Sequence, residues 1–115
     1  MKQAPTRLEI LEEVRWILDK PENWIKGSMA HDAQGERVYP TSPTAVSFCI
    51  YGACLKAGMN DSTNNIYGAI NRVEKDYNFL LSAFNDSSTH PQVLAFLDRL
   101  IEFETMDSTD LPWEL

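Results

Sequence analysis

The sequence has few of the residues on which many functional classes depend. Its 115 residues include 2 cysteines, 2 histidines and 5 glycines, and acidic residues (17) outnumber basic ones (10). The net charge of −7 argues against direct binding of nucleic acid, because affinity for phosphate backbones comes from clustered lysine and arginine. The scattered glycines form neither common phosphate-binding loop, so no nucleotide or other cofactor is expected.

The chain also lacks long apolar runs. No stretch of about 18 consecutive apolar residues is present, and residues 1–6 lack the apolar core of a signal peptide. We therefore expect a cytoplasmic protein that does not bind membranes. With 43% apolar residues, a length close to that of one ordinary domain predicts a single packed core. We expect a helical domain over residues 1–104 and an acidic tail over residues 105–115.

Apolar residues at spacings of three and four predict a mainly α, single-domain bundle of four main helices. The first helix begins at a capping box formed by Thr6 and Glu9, and Pro21 forces its end near residues 19–20. Its predicted apolar stripe comprises Leu8, Ile10, Leu11, Val14, Trp16, Ile17 and Leu18.

The second helix is predicted to be the central and most buried one. Ser42 before Pro43 is typical of a helix start and Gly58 of a helix end, so the helix is expected over residues 43–57. Gly52 in its middle lowers intrinsic helix stability by about 1 kcal/mol. A glycine tolerated there indicates that a neighbouring backbone approaches closely.

The remaining helices follow from caps and turn residues. The third is expected over residues 62–77, and a short apolar piece over residues 79–84 follows it. Residues 85–88 bond readily to their own backbone, which predicts a turn. A second capping box, formed by Thr89 and Gln92, begins the last helix.

Between the first two helices the helical period disappears. Residues 32–35 carry a turn signal between two short flanks, residues 25–31 and residues 36–39. This pattern predicts a small β-hairpin or an ordered loop. Two strands alone are marginally stable in water, so we expect this piece to pack on the helices.

The two cysteines are expected to be reduced and buried. On one helix, Cys49 and Cys54 would have Cα atoms roughly 8.6 Å apart, which is too far for a disulfide. An alternative is a small enzyme in which Cys49 is the nucleophile, His90 the base and Asp86 the residue that orients the base. Cys49 would be about the seventh residue of its helix, beyond the first turn where the helix dipole could activate it, so an inert thiol is favoured.

A metal site could draw its ligands from turns and helix starts. The candidate ligands are His31, Asp32, Asp86 and His90. No typical ligand spacing links them, so no metal is predicted. Instead, Asp32 is expected to stabilise the hairpin turn, and His90 to lie in the first turn of the last helix.

Acidic residues are concentrated toward the end of the chain. Residues 98–115 hold six acids and one base, and apolar residues stand among them. This composition is typical of a segment that docks into an apolar groove with a basic rim. The predicted partner-binding residues are Asp107, Asp110, Leu111, Trp113, Glu114 and Leu115. We therefore predict a non-enzymatic protein that binds a protein partner; packing of Trp113 on its own bundle, and a homo-oligomer, are open alternatives.

Three motifs carry a resemblance to a known family. They are an Ala-x-Asp-x-x-Gly turn (residues 30–35), a Ser-x-x-Ala-Val-x-x-Cys-x-x-Gly-Ala helix (residues 42–53), and an Asn-Asp pair (residues 85–86) before the last helix. Over residues 24–101 the sequence resembles a family of small bacterial and phage proteins of unknown function. The resemblance implies a mostly helical fold and a phage-linked setting in which short acidic proteins bind host machinery.

Overall fold

The computed structural model describes residues 6–59 and 81–105. The helices there are α1 (Arg7–Ile17), α2 (Ile50–Ala57), α3 (Leu81–Ser87) and α4 (His90–Thr105), with a 3₁₀ turn at Pro21–Asn23 and two short strands, β1 (Ala30–His31) and β2 (Ser47–Phe48). The strands pair antiparallel. The fold is therefore mainly α with a small β element between the first two helices, as predicted. The helix predicted over residues 62–77 lies outside the described residues.

Helix α1 begins at the predicted capping box. The hydroxyl of Thr6 accepts a hydrogen bond from the amide of Glu9 at 3.1 Å, and the Glu9 carboxylate accepts one from the amide of Thr6 at 2.8 Å. The buried residues of α1 are Ile10, Leu11, Val14 and Ile17. Trp16 is 75% exposed, so its predicted place on the apolar stripe was wrong. At 100° per residue Trp16 points about 150° away from the mean direction of these four buried residues.

Helix α2 begins later than predicted. Residues 43–44 form a turn, residues 45–46 have no regular structure, β2 follows, and Cys49 is the N-cap residue of α2. The prediction of a helix from residue 43, with Cys49 as its seventh residue, was wrong. The Ser42 hydroxyl does accept a hydrogen bond from a following amide, but this bond closes only a local turn. The amide of Val46 instead donates to the carbonyl of His31 at 2.9 Å, so the segment pairs with β1 rather than coiling.

The turn at residues 32–35 was predicted correctly, but its flanks do not form the regular sheet. The Asp32 carboxylate accepts hydrogen bonds from the amides of Gln34 and Glu36, both at 2.9 Å. The flanks meet in an isolated bridge between His31 and Arg37, and the amide of Val38 donates to the carbonyl of Ala30 at 3.1 Å. Strand β1 pairs with residues 47–48 instead, and both of these residues are buried.

Helices α3 and α4 are separated by a short break at residues 88–89. The second predicted capping box is confirmed: Thr89 and Gln92 exchange hydrogen bonds at 2.8 and 3.3 Å. Residues 85–87 belong to α3, so the turn predicted there was wrong except at its end. The buried face of α4 comprises Val93, Phe96, Leu97 and Leu100.

Helix α4 packs along α1 in the opposite direction. Arg7 at the start of α1 pairs with Glu104 at 2.9 Å, and Arg15 near its end pairs with Asp98 at 2.8 Å. Helix α2 packs against both α1 and α3. Within residues 6–59 and 81–105, no helix combines the length and the apolar character that crossing a membrane requires.

Candidate functional site

The amide side chain of Asn85 connects three parts of the interior. Asn85 is fully buried, and its Oδ1 accepts hydrogen bonds from the indole of Trp24 at 2.6 Å and from the amide of Ile50 at 3.0 Å. Its Nδ2 donates to the carbonyl of Ile25 at 2.9 Å. One side chain thus joins α3 to the start of α2 and to residues 24–25. This role was not predicted from the sequence, because an asparagine at the start of a run of turn-forming residues is equally typical of a turn.

The carboxylate of Asp86 binds the chain at Gly27, next to the hydrogen bonds of Asn85. Its Oδ1 accepts hydrogen bonds from the amide of Gly27 at 3.0 Å and from Nδ2 of Asn85 at 3.2 Å. Beside it lies a cleft of about 200 Å³, lined by Gly27, Ser28, Met29, Cys49, Tyr51 and Asp86. The structure therefore brings two members of the sequence-predicted catalytic set, Cys49 and Asp86, to one cleft.

Both thiols are free and buried, as predicted. The sulfur of Cys49 accepts a hydrogen bond from the amide of Gly52 at 3.3 Å, which caps α2. Burial raises the pKa of the Cys49 thiol, and the charge of Asp86 raises it further. Burial raises the pKa of Cys54 to about 12. Since the thiolate is the nucleophile, this environment favours packing and capping by sulfur over chemistry.

His90 lies in the first turn of α4, as predicted, and its ring contacts Leu18 and Trp24. One ring nitrogen, Nε2, is 2.7 Å from the carbonyl oxygen of Leu18, and the ring lies 5.9 Å from the ring of Trp24. Among the described residues, no hydrogen bond joins His90 to Cys49 or Asp86. In this arrangement the imidazole supports the end of α1 rather than a thiol.

We predict that neither thiol is reactive in the folded protein. At pH 8, iodoacetamide is expected to modify Cys49 about tenfold or more slowly than a free thiol, and Cys54 more slowly still, because burial disfavours both thiolates. Mass spectrometry of the native protein measures the two rates. The urea-unfolded chain is the control, in which both residues should react at the ordinary rate. Rapid native labelling of Cys49 would contradict the prediction and favour the enzyme hypothesis.

The candidate metal ligands are distributed over different parts of the structure. Asp32 uses its carboxylate in the turn, as predicted, and His31 lies in β1. Asp86 and His90 have the contacts given above. In the part of the chain that the structure describes, no three histidine, cysteine, aspartate or glutamate side chains are grouped as metal ligands would be.

The second feature of the surface is an exposed tryptophan among acidic residues. Trp16 is 75% exposed on the outer side of α1. We define the acidic face as Trp16 together with Glu12, Glu13, Arg15, Asp19 and Asp98, which lie around it on α1, just beyond α1, and on α4. This face was not predicted from the sequence. The available signal was a tryptophan with acidic residues at positions i−4 and i−3 on the same helix and at i+3 just beyond its end.

The single arginine of the acidic face is already paired. Arg15 donates hydrogen bonds to Asp98 at 2.8 Å and to Asp19 at 2.7 Å. These two bonds raise the pKa of Arg15 and hold its charge against the carboxylates. Among the described residues, neither Glu12 nor Glu13 forms an ion pair. The face therefore presents net negative charge beside the exposed indole.

On its other side Trp16 borders an open groove between α1, β2 and α2. The groove has a volume of about 560 Å³. We call it the Val46 groove and define it by its lining residues: Glu13, Trp16, Ile17, Asp19, Lys20, Asn23, Ala45, Val46, Phe48 and Lys56. Val46 itself is 48% exposed. Trp16 thus stands between the acidic face and an apolar groove.

The partner-binding residues predicted from the sequence cannot be compared with this surface. Asp107, Asp110, Leu111, Trp113, Glu114 and Leu115 lie outside the described residues. The structure describes the acidic residues from position 98 to the end of α4. Among them, Asp98 belongs to the acidic face.

Comparison with known proteins agrees with the resemblance seen in the sequence. A family model matches residues 2–103, which is most of the chain. The searches of curated proteins and of solved structures found no match. On the extent of the family match, the chain belongs to the family of unknown function DUF6197.

Proposed function

We propose that this protein acts without catalysis, by binding a protein partner that carries basic residues, through the acidic face centred on Trp16. The observation that carries the proposal is the 75% exposure of Trp16 on a helix in which Ile10, Leu11, Val14 and Ile17 are buried. Tryptophan is strongly enriched among residues that dominate binding energy at interfaces, where it supplies a large, rigid contact area.

The charge around Trp16 supports a basic partner. Four carboxylates and three basic side chains line the acidic face and the Val46 groove, and Arg15 is engaged with two of those carboxylates. The whole chain carries a net charge of −7, which adds long-range attraction for a basic surface. The same charge disfavours nucleic acid and anionic membrane surfaces as partners.

The acidic tail, residues 105–115, also combines acidic residues with large apolar ones. Residues 107–115 combine aspartate and glutamate with Leu111, Trp113 and Leu115, and we propose that they contribute to the same partner contact. The two free, buried thiols fit a reducing compartment, which supports a cytoplasmic location. The resemblance to bacterial and phage proteins supports a host protein as the partner.

Selection of displayed random peptides on the full chain tests the proposal. Enriched peptides should be rich in lysine and arginine and carry a large apolar residue. A synthetic peptide of the enriched type should bind about tenfold or more weakly to the Trp16→Ala variant, as expected for an interface hot spot. Its affinity should also fall as ionic strength rises.

Tyr39→Ala is the matched control, since Tyr39 is 73% exposed but borders neither the acidic face nor the Val46 groove. This variant should bind the peptide like the parent chain. Equal binding by Trp16→Ala and the parent would overturn the proposal. Concentration-dependent sedimentation that Trp16→Ala abolishes would assign the face to self-association instead.

A further inference from the structure

Beside Trp16, the acidic face contains an open hollow of about 460 Å³. We call it the Trp16 hollow and define it by its lining residues: Glu12, Arg15, Trp16, Asp19 and Asp98. Three carboxylates and one guanidinium line this hollow, whereas two acidic and two basic side chains line the Val46 groove. The hollow is therefore the side of Trp16 on which negative charge is in excess.

The hollow already holds one guanidinium between two carboxylates. Nε of Arg15 donates to Oδ1 of Asp98 at 2.8 Å, and Nη1 donates to Oδ1 of Asp19 at 2.7 Å. The side chain of Arg15 is 27% exposed, whereas those of Asp98 and Asp19 are 59% and 63% exposed. The carboxylates are therefore more open to solvent than Arg15. Glu12 is also exposed, and it forms no ion pair with any described residue.

The indole of Trp16 adds an aromatic surface to this lining. Within the described part of the chain, no ring or cation lies against it. Trp24 differs, because Nζ of Lys26 lies 5.5 Å from its ring centroid and its indole N–H donates to Asn85. Trp16 therefore offers its ring, beside the carboxylate of Glu12, to a group from another molecule.

We infer that the Trp16 hollow takes an arginine side chain of the partner, with its guanidinium stacked on the indole of Trp16 and paired with the carboxylate of Glu12. The inference rests on the proposed function and names the side chain that the partner contributes.

The chemistry of the lining favours arginine over lysine. A guanidinium is planar and weakly hydrated, so it stacks on an aromatic ring while its edge donates hydrogen bonds to a carboxylate. Glu12 stands four positions before Trp16 on α1, so the two side chains are neighbours on the helix surface. An ammonium is a compact, strongly hydrated charge and is less suited to both contacts at once.

Arg15 offers little opposition to a second guanidinium. Its charge is compensated by Asp19 and Asp98, and three carboxylates against one guanidinium leave the lining negative. Charge complementarity therefore favours a cationic occupant, and the exposed indole favours a planar one.

Fluorescence anisotropy of three labelled synthetic peptides with the full chain tests the inference. Each peptide carries one leucine and three copies of a single residue separated by serines. That residue is arginine, lysine or citrulline, which is planar like arginine but uncharged. The arginine peptide should bind about threefold or more tightly than the lysine peptide, and about fivefold or more tightly than the citrulline peptide, which forms no ion pair. An arginine peptide that binds no more tightly than either of the others would overturn the inference.

Variants of two exposed residues locate the arginine. Trp16→Leu keeps an apolar side chain but removes the aromatic ring, so the arginine and lysine peptides should bind this variant equally. Glu12→Gln should weaken binding of the arginine peptide about two- to fivefold, as expected for one exposed ion pair. Glu22→Gln removes the same charge from an exposed residue that lines neither the hollow nor the Val46 groove, and it should bind like the parent chain. A preference for arginine that persists in Trp16→Leu would contradict the inference.

The outcomes separate this inference from the proposed function. If Trp16→Ala weakens binding of the peptide selected by display while the arginine and lysine peptides bind alike, the inference fails and the proposed function stands. If Trp16→Ala leaves binding of the selected peptide unchanged, the proposed function fails. Dimerisation that Trp16→Leu abolishes would assign the hollow to a second copy of the chain, which also overturns the inference.

Discussion

Replacing Gly52 with alanine is expected to lower the free energy of unfolding by about 3 kcal/mol or more, because no space exists there for a side chain. A Cβ atom on Gly52 would lie 2.8 Å from the carbonyl carbon of Met29 and closer still to its oxygen. Met29 cannot withdraw cheaply, since its carbonyl accepts a hydrogen bond from the amide of Cys49 at 3.2 Å. Urea unfolding followed by circular dichroism measures the change.

Gly35→Ala is the control for this prediction. Gly35 has a positive φ of 82°, and a Cβ there would meet nothing within 4 Å. Its replacement should therefore cost only the strain of a left-handed alanine, about 1–2 kcal/mol. If both variants lose the same stability, contact with Met29 is not what excludes a side chain at Gly52.

Replacing Asn85 with alanine is expected to lower the free energy of unfolding by about 3 kcal/mol, because it leaves buried hydrogen-bonding groups without a partner. The indole of Trp24 and the amide of Ile50 would both lose their acceptor, and the carbonyl of Ile25 would lose its donor. Urea unfolding measures the loss, and tryptophan fluorescence reports the change around Trp24.

Ser88→Ala is the matched control for Asn85. Ser88 is also buried, but its hydroxyl makes one local hydrogen bond, to the carbonyl of Phe84 at 2.7 Å. Its replacement should cost about 1 kcal/mol. Asn85→Asp, which keeps the acceptor but not the donor, should also be clearly less stable than the parent. A loss in Asn85→Ala no larger than that in Ser88→Ala would show that the interior does not depend on the Asn85 network.

Asn85 and Gly52 contact opposite ends of residues 24–29, the segment that leads into β1. Gly52 allows α2 to approach the backbone of Met29, and Asn85 holds the chain at residues 24–25 against the start of α2. β2, which carries Phe48 of the Val46 groove, pairs with β1, and the carbonyl of Phe48 accepts a hydrogen bond from the amide of Ile25 at 3.0 Å. Stability of this junction therefore supports the surface on which the proposed partner would bind.

Local sequence signals predicted helix ends well. Thr6 with Glu9, and Thr89 with Gln92, form the two capping boxes expected from their spacing. Gly58 ends α2 with a φ of 104°, as its position suggested. Each of these signals depends on residues within four positions of one another. Contacts with distant parts of the chain therefore have little effect on where these helices begin or end.

The same kind of signal failed at Ser42 and Pro43. There a favourable helix start competed with strand pairing, and the amides of Val46 and Cys49 bond to the carbonyls of His31 and Met29 instead. The consequence for the site is direct. Cys49 became the N-cap residue of α2 rather than a residue in the helix interior, and its sulfur caps the amide of Gly52.

What the sequence determined by itself was the helical class, the caps, the free thiols and the need for a close backbone approach at Gly52. Only the tertiary structure decided that Asn85 is the buried hydrogen-bonding centre and that Asp98 joins the acidic face of Trp16. The physical reason is sequence separation. The Trp24–Asn85 bond spans 61 residues and the Arg15–Asp98 bond 83, and such contacts form only when packing of the whole core brings the elements together.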